Sequence, residues 1–210
     1  MTLFIGDVHG KFGPYKSIIK NHINTIQVGD MGIGFRDPML DKSFRNPPYN
    51  AMLKDGHRFI RGNHDNPNSC RFHSQWIKDG TIEGDVMFIG GATSIDREWR
   101  IKDYTWWEDE ELSIQELGLM ADIFRSQRPR VMVTHECPQS IADTMLAEFN
   151  MAKFNDASAT RQAFQVMLEA HQPDIWIFGH WHVSFDKMIN GTRFVCLNEL
   201  ETKEIEVGLI

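Results

Sequence analysis

The chain has 210 residues, 41% of them apolar, and a formal net charge of −7. That length suits one domain over residues 1–210 with a substantial core; the acidic balance argues against a broad electropositive nucleic-acid surface, and no apolar run is long enough to span a bilayer. The N-terminal MTLFIGDVHG lacks a basic n-region and a cleavage pattern, so no signal peptide is expected, and the scattered Cys70, Cys137 and Cys196 form no C-x-x-C pair, which points to a reducing cytoplasm rather than a disulfide or cysteine-zinc scaffold.

Thr2 to Ile5 is a short apolar run ended by Gly-Asp and predicts a buried strand. Pro14 opens a helix through Lys20, as proline does in a first turn. Thr25 to Val28 predicts a second strand, again ended by Gly-Asp. Gly32 to Asn50 is rich in Gly, Pro, Asn and charge and reads as a loop. His57 to Ile60 is a third strand, ended by RGNHD, and Asp85 to Ile89 a fourth, followed by Gly90-Gly91. Leu112 to Arg125 reads as a helix, with Ser113 and Glu116 spaced as a capping box. Arg130 to Thr134 is a strand stopped at His135. Helices are expected over Ser140 to Phe149 and Ser158 to His171. Asp174 to Phe178 is a strand leading into GHWH, and the tail alternates around Asn190-Gly191, a hairpin signal. Strands alternating with helices imply an α/β fold.

One pattern recurs along these strands. Each ends in glycine and a polar residue, or in a bare histidine, giving Asp7, His9, Asp30, Asn63, His135, His180 and His182 as candidate metal ligands. In α/β sheets, ligands sit beyond the carboxyl ends of strands. Carboxylate, imidazole and amide oxygen suit borderline to hard divalent ions. Seven donors exceed one tetrahedral ion and fit two ions sharing a carboxylate. In an extended segment His180 and His182 would share a face, aimed at one site or at two adjacent ions. His22, His57, His73 and His171 have no such context and read as surface or packing residues.

GDVHG, VGD, RGNHD, THE and GHWH, in this order over residues 6–182, resemble the signature blocks of the calcineurin-like metallophosphoesterase superfamily. The resemblance implies a four-layer sandwich, two mixed β-sheets flanked by helices. It implies two divalent ions, manganese first, with iron, zinc, cobalt or nickel as alternatives. The first ion takes Asp7, His9, Asp30 and His182, and the second takes Asp30, Asn63, His135 and His180, so that Asp30 bridges and Trp181 points away into packing. It further implies attack by a metal-bridging hydroxide, with His64 as general acid or transition-state hydrogen-bond donor. Arg61 matches a phosphate-contacting arginine of the phosphoprotein phosphatase branch, and Arg36, Arg97 and Arg100 are weaker candidates for the same task. The carboxylate and arginine which that branch carries after the second block are absent from Gly29 to Gly34, which leaves Asp65 as a candidate influence on His64. GGATSIDREWR followed by WWEDEELS is similar to a subgroup of bacterial and phage metallophosphoesterases.

The expected activity is hydrolysis of phosphomonoesters, small molecules or phosphopeptides, in the cytoplasm and away from membranes. The alternatives are a phosphodiesterase acting on cyclic nucleotides or nucleic acid, and a non-catalytic metal-binding interaction module. The complete ligand set speaks against the last, and the acidic charge against nucleic acid.

Overall fold

A computed structural model of the chain describes residues 1–35, 47–54, 56–152 and 157–208. It contains two sheets. In the first, β1 (Thr2–Ile5), β2 (Thr25–Gln27) and β3 (His57–Phe59) run parallel, and β10 (Thr202–Ile205) pairs antiparallel with β1. In the second, β5 (Val86–Ile89), β6 (Val131–Thr134), β7 (Ile175–Phe178) and β9 (Thr192–Cys196) are parallel. Two antiparallel strands, β4 (Thr81–Glu83) and β8 (Phe185–Ile189), form its edges. The central strands read as unbroken apolar runs because both of their faces are buried.

Alternation along each strand sorts its side chains into separate cores. Phe4, Ile26, Val86, Phe88, Val131, Val133, Ile175, Ile177 and Val195 meet between the two sheets. Met87, Met132, Trp176, Phe178 and Phe194 face outward from the second sheet. They are covered by α4 (Ile114–Gln127), α5 (Gln139–Glu148) and α6 (Ala159–Ala170). Leu3, Ile5 and Phe59 face outward from the first sheet, under α1 (Phe12–Ile19) and α2 (Tyr49–Lys54). The result is the expected four-layer α/β sandwich of two mixed sheets flanked by helices. Among the described residues no helix is long and apolar enough to cross a membrane.

Three local expectations needed correction. α1 starts two residues before Pro14, which sits inside the first turn, where its missing N–H costs nothing. The loop expected through Asn50 gives way to α2 from Tyr49, and residues 36–46 of that loop, Arg36 included, lie outside the described residues. The short α3 (Pro67–Cys70) and β4 were not anticipated; α3 is set by Asn66, whose side chain accepts from Ser69 N, with proline at the next position. The Asn190-Gly191 hairpin is present, with φ +50° and +93° at the two turn residues, as a type I′ turn needs. Beyond it, β10 crosses to the other sheet, a long-range pairing that local pattern does not encode.

The capping box of α4 forms: Ser113 Oγ accepts from Glu116 N at 3.2 Å, and Ser113 N donates to Glu116 Oε2 at 2.9 Å. Ser113→Ala is expected to lower the unfolding free energy by about 1 kcal/mol in urea titration, whereas Ser113→Asp keeps most of it.

Candidate metal centre

The carboxyl ends of β1, β2, β3, β6 and β7 converge on one rim, and the loops leaving them bring all seven predicted ligands together. Asp7, His9 and His182 form one group of ligand atoms, and Asp30, His135 and His180 another. His182 Nε2 lies 3.1 Å from Asp7 Oδ2, and 2.9 Å from His9 Nε2. His135 Nε2 lies 3.0 Å from Asn63 Oδ1 and 3.3 Å from Asp30 Oδ1. Asp30 stands between the groups: Oδ1 faces His135 and accepts from His64 N at 2.7 Å, while Oδ2 faces His9 Nε2 at 3.7 Å.

The chemistry of this donor set fits divalent cations. His135 Nδ1 sits 2.9 Å from the Val28 carbonyl, which can only accept, so Nδ1 carries the proton. In the neutral ring, Nε2 then offers a lone pair toward two oxygens that are themselves acceptors. Such a cluster needs either an added proton or a metal ion at its centre. Without metal the proton serves: burial opposes charge on His135, yet Asp30 holds its pKa up at about 10. Burial likewise opposes the charge on Asp30, but His135, His64 and His9 hold it well below the usual carboxylate range. Burial drives His180 well below the ordinary histidine value, reinforced by His135. His182 moves up through its hydrogen bond to Asp7.

The backbone explains why glycine accompanies the candidate ligands. A Cβ on Gly62 would overlap Asp30 Oδ1 and lie 2.7 Å from His135 Nε2; one on Gly179 would overlap Asp7 Oδ1. Four candidate ligands themselves adopt left-handed conformations: His9 (φ +47°), Asp30 (+60°), His180 (+68°) and His182 (+50°). This corrects the extended reading of GHWH. The strand stops at Phe178, and the two histidines diverge from a strained turn rather than sharing a strand face. Residues held this way cost about 1–3 kcal/mol each and cluster at functional sites. Trp181 does point into packing: it is buried and donates from Nε1 to Glu136 Oε1 at 2.7 Å.

Asp65, considered as an influence on His64, does something else. It is fully buried and accepts from Met31, Gly32, Ile33 and Gly62 N, which ties the loop after Asp30 to the loop before Asn63. Burial and the neighbouring Asp30 raise its pKa to about 6 against the pull of those N–H groups. The groups that meet His64 are Arg100, whose Nη2 lies 2.6 Å from His64 Nε2, His9, whose Nδ1 lies 3.2 Å from His64 Nδ1, and Phe35, stacked at 4.9 Å. A guanidinium only donates, so Nε2 accepts and the proton sits on Nδ1, on the side of the metal ligands. Burial lowers the His64 pKa to about 3, with Asp30 opposing and His9 and Arg100 reinforcing. Asp96 holds Arg100 with two hydrogen bonds, of 2.6 and 2.8 Å. Arg97 lies exposed on a short 3-10 turn, Arg97–Trp99.

The geometry does not support Arg61 as a phosphate clamp. It is 3% exposed, donates to Asp79 Oδ2 at 2.9 Å, and spends Nη1 on the carbonyls of Asp109 and Glu110. Its ion-pair partner lies 18 residues downstream. Sequence reasoning also missed Ser94 and Glu110. Asn63 Nδ2 donates to Ser94 Oγ at 3.0 Å, and Ser94 donates to Glu110 from Oγ at 2.6 Å and from N at 2.8 Å. Lys11 and Glu199, an ion pair beside His9, were missed as well. The clue for Ser94 and Glu110 was the GGATSID and WWEDEE pattern, which resembled a subgroup but had no assigned task.

Arg61→Ala is expected to destabilise the protein by about 3–5 kcal/mol in urea unfolding, because Asp79 loses its cationic partner. It should reduce kcat/KM on matched mono- and diesters by similar factors. A loss confined to the monoester, at unchanged stability, would restore the clamp.

Comparison with known proteins agrees with this geometry. A family model described as calcineurin-like phosphoesterase matches residues 1–184. No curated protein matches the chain. Among solved structures, the chain is similar to a Staphylococcus aureus protein provisionally described as a 5′-nucleotidase and solved with α-ketoglutarate. The TM-score is 0.52 at 13% identity, over 94% of this chain and 48% of that one, so this chain spans about half its length, and the likeness is one of fold. It is also similar to an uncharacterised Streptococcus pneumoniae protein described as a predicted phosphoesterase (TM-score 0.41, 13% identity, 94% of this chain and 71% of that one). With a model matching residues 1–184 of its 210, the chain belongs to the calcineurin-like phosphoesterase family.

Proposed function

We propose that the protein is a dinuclear metal-dependent phosphomonoesterase, acting on a phosphorylated small molecule or phosphopeptide. The observation that carries this reading is the placement of Asp30, with one carboxylate oxygen toward each group of ligands. Asp7, His9, Asp30 and His182 would hold one ion, and Asp30, Asn63, His135 and His180 the other. Manganese suits the mixed carboxylate, imidazole and amide donors, and iron, zinc, cobalt or nickel are the alternatives. When bound, two such ions supply an activated water and neutralise charge on the phosphoryl group.

The remaining work falls to the chain's own side chains. Arg100 takes the phosphate-binding task once expected of Arg61 by exchanging its Nη2 contact with His64 for the phosphate, while Asp96 and the Thr105 carbonyl keep hold of Nε and Nη1. Its planar fork keeps its charge and suits the extra negative charge of a monoester dianion. His64 presents Nδ1–H on the metal side and serves the leaving oxygen; it acts as general acid once Arg100 turns from Nε2 to the phosphate and Nε2 takes up a proton. The three buried free thiols support a reducing, cytoplasmic setting.

A hydrolysis panel on the Mn-loaded protein tests the reading: aryl monoester, aryl diester, cyclic nucleotides, phosphopeptides and single-stranded DNA. The monoester is expected to give the highest kcat/KM, EDTA to abolish turnover, and added Mn to restore it. A higher kcat/KM on the diester would replace this reading with a diesterase. His64→Ala is expected to keep its metal and lose roughly 10²–10⁴-fold in kcat. The loss should be larger for alkyl phosphates than for nitrophenyl phosphate; equal losses would reject the acid role.

A further inference from the structure

We infer that Ser94 and Glu110 are positioning residues that fix the amide of Asn63 with its oxygen toward the metal centre. This rests on the proposed role of Asn63 as a ligand. An asparagine amide is nearly symmetric in shape, and rotating it by half a turn swaps an acceptor for a donor. Only the oxygen can bind a cation, so a ligand asparagine needs something on its far side that tells the two ends apart.

That discrimination is built from Ser94 and Glu110, buried behind the amide. Glu110, 4% exposed, receives both Ser94 N, at 2.8 Å, and Ser94 Oγ, at 2.6 Å. With its hydroxyl proton turned toward Glu110, Ser94 Oγ presents a lone pair to Asn63. The amide nitrogen satisfies it, at 3.0 Å, and Asn63 Oδ1 is left facing His135 Nε2. All three residues are buried, so water does not substitute for a lost partner. The arrangement also accounts for the two sequence blocks that the ligand set left unexplained. The turn after Gly90-Gly91 supplies the serine, and the acidic run after Trp106-Trp107 supplies the carboxylate. That run is anchored by Arg61, which donates to the Asp109 and Glu110 carbonyls.

The test is Mn(II) binding to the full chain, followed by calorimetric titration, with unfolding of the metal-free protein measured alongside. Ser94→Ala and Glu110→Gln should each weaken one of the two ions about 10–100-fold, the usual effect of losing an outer partner of a ligand. The other ion should change little, Ser94→Thr should recover most of the affinity, and the double variant should lose no more than the worse single one. Asn63→Ala separates the two layers of the argument. If it loses one ion while Ser94→Ala and Glu110→Gln bind both as the parent does, the positioning role is wrong and the ligand assignment stands. If Asn63→Ala itself binds both ions normally, the ligand assignment falls and the inference with it. Equal weakening of both ions would make Ser94 and Glu110 ordinary scaffold residues and overturn the proposal.

Discussion

The buried carboxylate of Asp30 is the constraint around which the molecule is arranged. It is 1% exposed, and an isolated anion in that position would carry a desolvation penalty of several kcal/mol. His135 and His9 face its two oxygens, and His64 N donates to one of them. Protonated histidines can balance this charge, as the raised pKa of His135 indicates. Cations can balance it as well, because with His135 neutral its Nε2, Asn63 Oδ1 and Asp30 Oδ1 all present lone pairs inward.

Much of the surrounding structure follows from bringing five strand ends to that carboxylate. β1, β2 and β3 come from one sheet and β6 and β7 from the other, and the apolar core between the sheets fixes their separation. Left-handed turns at His9, Asp30, His180 and His182 then aim the side chains inward. Asp65 ties two of these loops together through four backbone N–H groups. The Gly90 to Glu111 segment adds a further shell: Ser94 and Glu110 behind Asn63, and Asp96 and Arg100 against His64. Two consecutive residues, one a candidate ligand and one a candidate acid, are thus held from the same stretch of chain.

The candidate ligands could be picked out in the sequence because each lies within a few residues of a strand end, in most cases beside a glycine. Gly62 and Gly179 are local marks of a close approach that only the fold makes visible. Buried strands were legible because runs such as Val86 to Ile89 and Ile175 to Phe178 have no polar face to expose, whereas the two-sheet layering followed from the family resemblance. What could not be read depends on partners distant in the chain. Arg61 looked like a clamp until Asp79 and the Asp109 and Glu110 carbonyls were found around it. Likewise, nothing local to Arg100 shows that it meets His64 36 positions away. GHWH misled in another way, because alternation implies a shared face only if the backbone is extended, and both histidines have positive φ.

The central claim is that Asp30 joins two ions in one centre. Electron paramagnetic resonance of the protein saturated with Mn(II) tests it most directly. The account predicts the spectrum of an exchange-coupled manganese pair, since two ions sharing one carboxylate lie about 3.5–4 Å apart. In Asp30→Asn that coupling should be lost. A saturated parent protein that shows only the hyperfine pattern of isolated Mn(II), unchanged by Asp30→Asn, would contradict it.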